Sequence, residues 1–207
     1  MPRFVRPAVV VATLAAAALP AHAAYIMTPL SNGQNQRTVA LGQTFTLDVV
    51  LTSNTAPADT HTSALFQMRF TQPGLVLNTI AWAAPYTTGG AFDFSLPAPA
   101  DLPLAITPGV LSGGLYPQGL NDIELANALI GQTYGTGTLV SLSFTIPANL
   151  GYTGPIFISL NPDEIASGFN LVPTTAGQVF RLDVVIPSPA TLALLAPWAM
   201  LARRRRR

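Results

Sequence analysis

The chain has 207 residues, a length that fits one domain with short additions at its ends. Its net charge of +1 hides an uneven distribution, because seven of the ten arginines lie in the first six or the last five positions. The chain between these ends contains three arginines and all nine acidic residues, so its net charge is −6. This charge excludes attraction to nucleic acid or to an anionic membrane surface.

The first 23 residues have the pattern of a secretory signal peptide. Arg3 and Arg6 precede an apolar run of 11 residues at 9–19, and Pro20 follows it. Ala21 and Ala23 then supply the small residues that signal peptidase requires at a cleavage site. A membrane-spanning helix is disfavoured because spanning needs about 20 apolar residues. We predict removal of residues 1–23.

Residues 24–186 are predicted to form one all-β domain. Apolar and polar residues alternate over 44–51, 65–71, 139–146 and 178–186, the period of a half-buried strand. Weaker strand patterns occupy 75–83, 92–96, 104–106, 110–115 and 155–160, with glycine-containing turns between most of them. The predicted core consists of Phe45, Leu47, Val49, Phe66, Met68, Phe70, Val140, Leu142, Phe144, Phe180, Leu182 and Val184.

Two short helical segments are also expected. Asn121 and Glu124 have the spacing of a capping box, which predicts a helix running to Ile130. In Asn161–Glu164, the proline at the second position predicts a single helical turn.

Residues 187–207 form a distinct tail. Pro187, Ser188 and Pro189 end the last strand, and 13 uncharged residues follow at 190–202. The chain then ends with Arg203, Arg204, Arg205, Arg206 and Arg207, a cluster that would remain on the cytoplasmic side of a membrane. As a helix the uncharged run would measure about 20 Å, short of the ~30 Å hydrocarbon layer.

This order of a proline motif, a hydrophobic stretch and an arginine cluster resembles the PEP-CTERM sorting signal, with Ser188 where glutamate is usual. The resemblance implies an exported protein of a Gram-negative-type bacterium that makes a biofilm matrix. After signal peptidase, an exosortase-type peptidase would process the tail. The protein would be held transiently in the inner membrane and then released to the cell surface or matrix. A permanent short anchor is the alternative.

A second resemblance covers residues 37–186. The segment 39–51 is similar to the opening strand of cohesin-type domains and the segment 135–146 to a late central strand, and their separation of about 95 residues fits that family. The resemblance implies a jelly-roll-type β-sandwich of about nine strands, whose best-known members bind dockerin modules. The proline-rich segment 97–108 departs from the family pattern.

Residues suited to catalysis or metal binding are sparse. His61 is the sole histidine after the signal peptide, and its segment reads as a polar loop in which Asp59 lies near but no nucleophile elbow occurs. The body has no cysteine and no EF-hand pattern, and its acidic pairs near 122–124 and 163–164 read as helix starts, with structural calcium as the alternative. No cofactor or catalytic residue is expected.

The sequence therefore predicts a non-enzymatic surface or matrix protein that makes structural or protein-binding contacts, with a dockerin-like protein as a possible partner. The alternative is a carbohydrate-binding module attached to exopolysaccharide. Trp82 and Tyr86 are the discriminating pair, because a sugar platform needs exposed aromatic rings, whereas the strand pattern predicts a buried Trp82.

Overall fold

Thirteen strands account for most of the residues that the structure describes. The computed structural model describes residues 25–54, 60–84, 86–87, 92–107, 123–129, 133–167 and 170–187. The strands are β1 (Tyr25–Leu30), β2 (Gln36–Ala40), β3 (Thr44–Ser53), β4 (Ser63–Phe70), β5 (Val76–Trp82), β6 (Phe92–Asp93), β7 (Leu104–Ala105), β8 (Ile123–Ala128), β9 (Gly137–Thr145), β10 (Gly154–Ser167), β11 (Asn170–Leu171), β12 (Thr174–Ala176) and β13 (Phe180–Val185). Over these residues, the helical content is one 3-10 turn at Pro99–Asp101, and no helix is long and apolar enough to cross a bilayer.

The strands form two mixed sheets. The first sheet has the order β12-β1-β3-β9-β5-β7, and the second has the order β2-β13-β10-β4-β8-β6, with β11 paired to β10. Pairing is parallel between β1 and β12 and between β13 and β2, and antiparallel at the other pairings. The predicted all-β sandwich is confirmed; the predicted strand at 110–115 lies outside the described residues.

The core lies between the inner faces of the two sheets, and all twelve predicted core residues are buried. Aromatic rings from both sheets meet at its centre. Phe144 of β9 stacks on Phe45 at 5.4 Å between ring centroids and meets Phe70 of β4 edge-on at 5.7 Å. Since alternation places every second side chain on the inner face, the period-2 pattern was sufficient to identify this core.

Both predicted helical segments are wrong, because each is part of a strand. The segment from Asn121 to Ile130 contains β8, whose residues pair with β4 on one side and β6 on the other; Asn121, Asp122 and Ile130 lie outside the described residues. The segment Asn161–Glu164 lies inside β10, where the register against β4 shifts between Pro162 and Glu164. A β-bulge tolerates proline, so Pro162, which suggested a helix start in the sequence, is accommodated within the strand. In both places, sheet pairing overrides a local capping signal.

The two ends of the sandwich are defined by the strand directions. Tyr25 pairs with Ser53, and β5 ends at Trp82, so these residues lie at one end, here called the amino-side end. At the opposite end, the amide of Leu41 donates to the carbonyl of Val185 at 3.0 Å, and the amide of Gly42 donates to Ile146 at 2.8 Å. We call this the tail-side end. The nine residues of β9 connect the two ends, which separates them by about 30 Å.

Candidate functional site

His61 lies at the amino-side end and is completely buried, so the prediction of a solvated loop histidine is wrong. Two backbone hydrogen bonds of 2.8 Å join it to Tyr134 as an isolated bridge. Its ring lies between the rings of Tyr25, Tyr134 and Tyr86, at centroid distances of 5.4, 5.5 and 6.1 Å. The polar appearance of residues 53–62 conceals this because the rings that cover His61 come from β1 and two distant loops.

The electrostatics of His61 oppose general-base catalysis. Burial lowers its pKa from 6.5 to about 4, so the imidazole is neutral at physiological pH. A catalytic histidine is hydrogen-bonded to its nucleophile and to an orienting carboxylate. Among the described residues, neither Nδ1 nor Nε2 of His61 has a hydrogen-bond partner. Asp59 lies outside the described residues.

An aromatic cluster extends from His61 into the core. The rings of Trp82 and Tyr86 lie 5.3 Å apart, and Trp82 meets Phe66 edge-on at 6.3 Å. Only 6% of Trp82 and 3% of Tyr86 is exposed, which confirms the burial expected for Trp82. Burial raises the pKa of Tyr86 well above 10, with smaller contributions from Tyr134 and Tyr25. This pair therefore gives a sugar ring no exposed surface on which to stack.

The outer face of the second sheet carries a polar row across three strands. Asn161 of β10 lies opposite Gln67 of β4, which in turn lies opposite Glu124 of β8. The Asn161 amide donates to Gln67 Oε1 at 3.1 Å. Glu124 is 1% exposed, and its Oε2 has no hydrogen-bond partner among the described residues. Burial raises the pKa of Glu124, and the negative charge of Asp163 raises it further.

The acidic residues do not assemble a metal centre in the described part of the chain. There, no group of three or more histidine, cysteine, aspartate or glutamate side chains is placed to hold a metal ion. The charge of Asp163 adds to the raised pKa of Glu124, but both residues lie on strands, and neither begins a helix as the sequence suggested.

The same outer face presents an aromatic side chain flanked by arginine. Phe157 of β10 lies opposite Arg181 of β13, and 43% of Phe157 is exposed. Arg181 pairs with Asp183 through a 3.0 Å contact on the same strand. On the other side of β10, Arg69 of β4 lies opposite Ser159. We call this surface, formed by the outward residues of β13 and β10 together with Arg69 of β4, the contact face; Gln67 and Glu124 beside it are buried.

Sequence reasoning missed Phe157 as a surface residue, although a signal for it was present. The strand predicted at 155–160 alternates, and Ile156 and Ile158 are the residues that fit a core. Phe157 must then point outward, which places its ring beside Arg181 on the surface of the sheet.

The outer face of the first sheet has a different chemistry. Thr46, Ser143 and Thr79 form one row across β3, β9 and β5, and in the next row Ser141 donates to Asp48 Oδ1 at 2.6 Å. No large hydrophobic residue of β3 or β9 is exposed. This surface is hydroxyl-rich and serves as the natural comparison for the contact face.

The predicted processing residues lie at the margins of the described chain or beyond them. Pro187 is described and follows β13 by two positions. The remaining residues lie outside the described residues: Ala21, Ala23, Ser188, Pro189, Arg203, Arg204, Arg205, Arg206 and Arg207. The cleavage and sorting assignments therefore rest on the sequence pattern.

Comparisons with known proteins identify the fold. No protein-family model matches the chain, and neither does any curated protein. Among solved structures, a non-cellulosomal cohesin from the hyperthermophilic archaeon Archaeoglobus fulgidus matches with a TM-score of 0.51 and 14% identity, covering 82% of this chain and 96% of that one.

Two further cohesin structures are similar at lower scores. A type I cohesin from Pseudobacteroides cellulosolvens has a TM-score of 0.49 and 10% identity, over 80% of this chain and 94% of its own. The sixth cohesin of Acetivibrio cellulolyticus scaffoldin B, solved in complex with a dockerin, has the same score and identity, over 79% of this chain and 99% of its own. The match to the archaeal structure shows a cohesin-like sandwich fold.

Proposed function

We propose that this chain is an exported, non-enzymatic surface or matrix protein of a Gram-negative-type bacterium, whose cohesin-like domain binds another protein through its contact face. The observation that carries the proposal is the 43% exposure of Phe157 on β10, a strand with paired neighbours on both sides within the sheet. Core packing gives no reason for an aromatic residue to point outward at that position.

The composition of the contact face fits a protein partner. Aromatic and arginine side chains are enriched at the centres of protein interfaces, where they contribute most of the binding energy. Phe157 and Arg181 are cross-strand neighbours, and Arg69 lies one strand away. Asn161, exposed on the same strand as Phe157, would supply hydrogen bonds beside this aromatic centre. A dockerin-like module is a partner class consistent with the fold, and another matrix protein would use the same chemistry.

The absence of catalysis is part of the proposal. His61 is the one histidine in the body; its neutral ring is buried, and no nucleophile among the described residues is hydrogen-bonded to it. A general base must reach the proton it removes and must titrate near the working pH. Neither condition is met at His61.

The exopolysaccharide-binding alternative has less support. Its most favourable residues were Trp82 and Tyr86, and both rings are buried. On the hydroxyl-rich face of the first sheet, a sugar site would depend on hydroxyl and amide groups. A glycan pull-down with the exported protein separates the two functions, because capture of the polysaccharide by the wild type but not by Thr79→Asp would favour the sugar-binding alternative.

Sorting through the tail is the second part of the proposal. Signal peptidase would cut after Ala23, and an exosortase-type peptidase would act near Pro187, Ser188 and Pro189. The 13 residues at 190–202 hold the protein only transiently in the inner membrane, because they span it poorly. Deleting Arg203–Arg207 should cause mis-sorting, and normal arrival of the truncated protein at the surface would contradict this.

The contact function is tested by surface retention. Phe157→Asp should reduce the amount of protein retained on cells or in the matrix, because it places a charge at the centre of the contact face. The matched control is Thr79→Asp, an exposed strand position on the other sheet. Equal retention of both variants would contradict the proposal.

A further inference from the structure

The turns at the tail-side end form one surface. Close approaches show this: a Cβ at Gly42 would lie 3.8 Å from Ala148, and a Cβ at Gly74 would lie 2.5 Å from the side chain of Leu150. The turns at 41–43, 72–74 and 147–153 therefore meet, and the end of β13 joins them through the Leu41–Val185 hydrogen bond. We call these three turns together with residues 186–187 the tail-side surface.

Charged residues are absent from the tail-side surface, in contrast to the acidic body. Its turns contain glycine, proline, asparagine, glutamine, leucine, alanine, threonine and tyrosine. Ile186 is 69% exposed, and Tyr152 donates its hydroxyl hydrogen to the carbonyl of Pro155 at 2.8 Å. The acidic residue next to it on β13, Asp183, is neutralised by Arg181. Neutral turns with tyrosine and aliphatic side chains suit the interfacial layer of a bilayer.

The chain length between β13 and the hydrophobic tail sets a short distance. β13 ends at Val185, and the uncharged run begins at Ala190, so four residues separate them. Fully extended, four residues span at most about 14 Å. The polar headgroup layer alone is about 6 Å thick on each side of the hydrocarbon. Once the run at 190–202 is in the bilayer, these two distances place the tail-side surface close to the lipid headgroups.

From this placement we infer that the tail-side surface lies against the lipid headgroups while the tail is inserted, with the amino-side end pointing away from the membrane. The inference rests on the proposed function, since it requires the tail to enter the membrane. The acidic body has no attraction of its own for an anionic surface, so the tail supplies the attachment and the uncharged turns remove the repulsion. The occupant of this surface is therefore a lipid bilayer.

Single-cysteine labelling tests the inference, because the chain contains no cysteine that would need removal. The exported protein, purified with its tail intact from a host without an exosortase, is reconstituted into vesicles of phosphatidylcholine and phosphatidylglycerol. A fluorophore is placed by Asn149→Cys on the tail-side surface and by Thr136→Cys at the amino-side end, both exposed positions. A third variant, Leu194→Cys, reports on the tail itself.

Lipids with a spin label on the headgroup should quench the fluorophore at position 149 and leave the one at position 136 unquenched. Lipids labelled in the acyl chain should quench the fluorophore at position 194. If position 194 is quenched by the acyl-chain label but the headgroup label quenches positions 149 and 136 to the same extent, the inference is wrong while tail insertion stands. If position 194 is not quenched, the membrane part of the proposed function fails, and this inference fails with it.

Discussion

The ring of Tyr25, at the first residue of β1, packs edge-on against the imidazole of His61, with centroids 5.4 Å apart and planes at 75°. This contact joins the first residue of β1 to a buried, neutral histidine. This pairing affects stability in acid, because a protonated His61 would be buried among tyrosine rings, and the described part of the chain offers neither of its nitrogens a hydrogen-bond partner.

Acid should destabilise the fold through His61. Its pKa is lowered from 6.5 to about 4 by burial, so the unfolded chain binds the proton more tightly than the folded chain. Stability therefore falls as pH drops from 6.5 towards 4, by about 3 kcal/mol in total. His61→Phe should lack this loss. Urea denaturation of the wild type and of His61→Phe at neutral pH and near pH 4 measures the change in the free energy of unfolding. Equal losses in the two proteins would contradict the assignment to His61.

Glu124 should have the opposite pH dependence. Its pKa is raised by burial and then by Asp163, so the folded state favours the neutral carboxyl and loses stability as pH rises above the ordinary glutamate value. Glu124→Gln should raise the melting temperature at neutral pH and have little effect in acid. Asp163→Asn should give a smaller increase, because it removes only the second cause. A lower melting temperature for Glu124→Gln at neutral pH would refute this account.

Phe144→Ala should be among the most destabilising core substitutions. The ring is fully buried and contacts Phe45 and Phe70 from the two sheets, so truncation removes burial and leaves a cavity between them. The expected loss is about 3–5 kcal/mol in the free energy of unfolding. Chemical denaturation measures it. The exposed control Thr46→Ala should change stability by less than about 0.5 kcal/mol, and similar values for both variants would mean that the core is placed wrongly.

Gly74→Ala should destabilise the tail-side end. Gly74 has φ +96°, which an L side chain rarely adopts, and an added Cβ would lie 2.5 Å from Leu150 Cδ1. The backbone strain alone should cost roughly 1–3 kcal/mol. Gly135→Ala is the matched control, because an added Cβ there meets nothing within 4 Å. Thermal denaturation should separate the two variants, and equal melting temperatures would show that Gly74 tolerates a side chain.

Sequence reasoning recovered the fold class, the strong strands and the core because each depends on period-2 alternation within a single segment. It failed where pairing between distant segments decides the outcome. β8 and the bulge in β10 look helical locally, and only their neighbours in the sheet make them strands. β1 was missed because its six residues contain Pro29 and lie directly after the predicted signal peptide.

The candidate sites divide in the same way. The outward position of Phe157 follows from alternation and could have been read from the sequence. The burial of His61 could not, because Tyr25, Tyr86 and Tyr134 come from three separate parts of the chain. The effect of Asp163 on the pKa of Glu124 likewise depends on the order of β8, β4 and β10 in the sheet.

Photocrosslinking in intact cells tests the central claim, that the contact face binds a protein, most directly. A photoreactive phenylalanine analogue replaces Phe157 in one strain and Thr79 in another. The account predicts one discrete protein adduct from position 157, absent from position 79 and reduced when Arg181→Glu is added, with the purified adduct partner binding the wild-type protein and not the Arg181→Glu variant. Adducts of equal yield from both positions, or none from position 157, would contradict it.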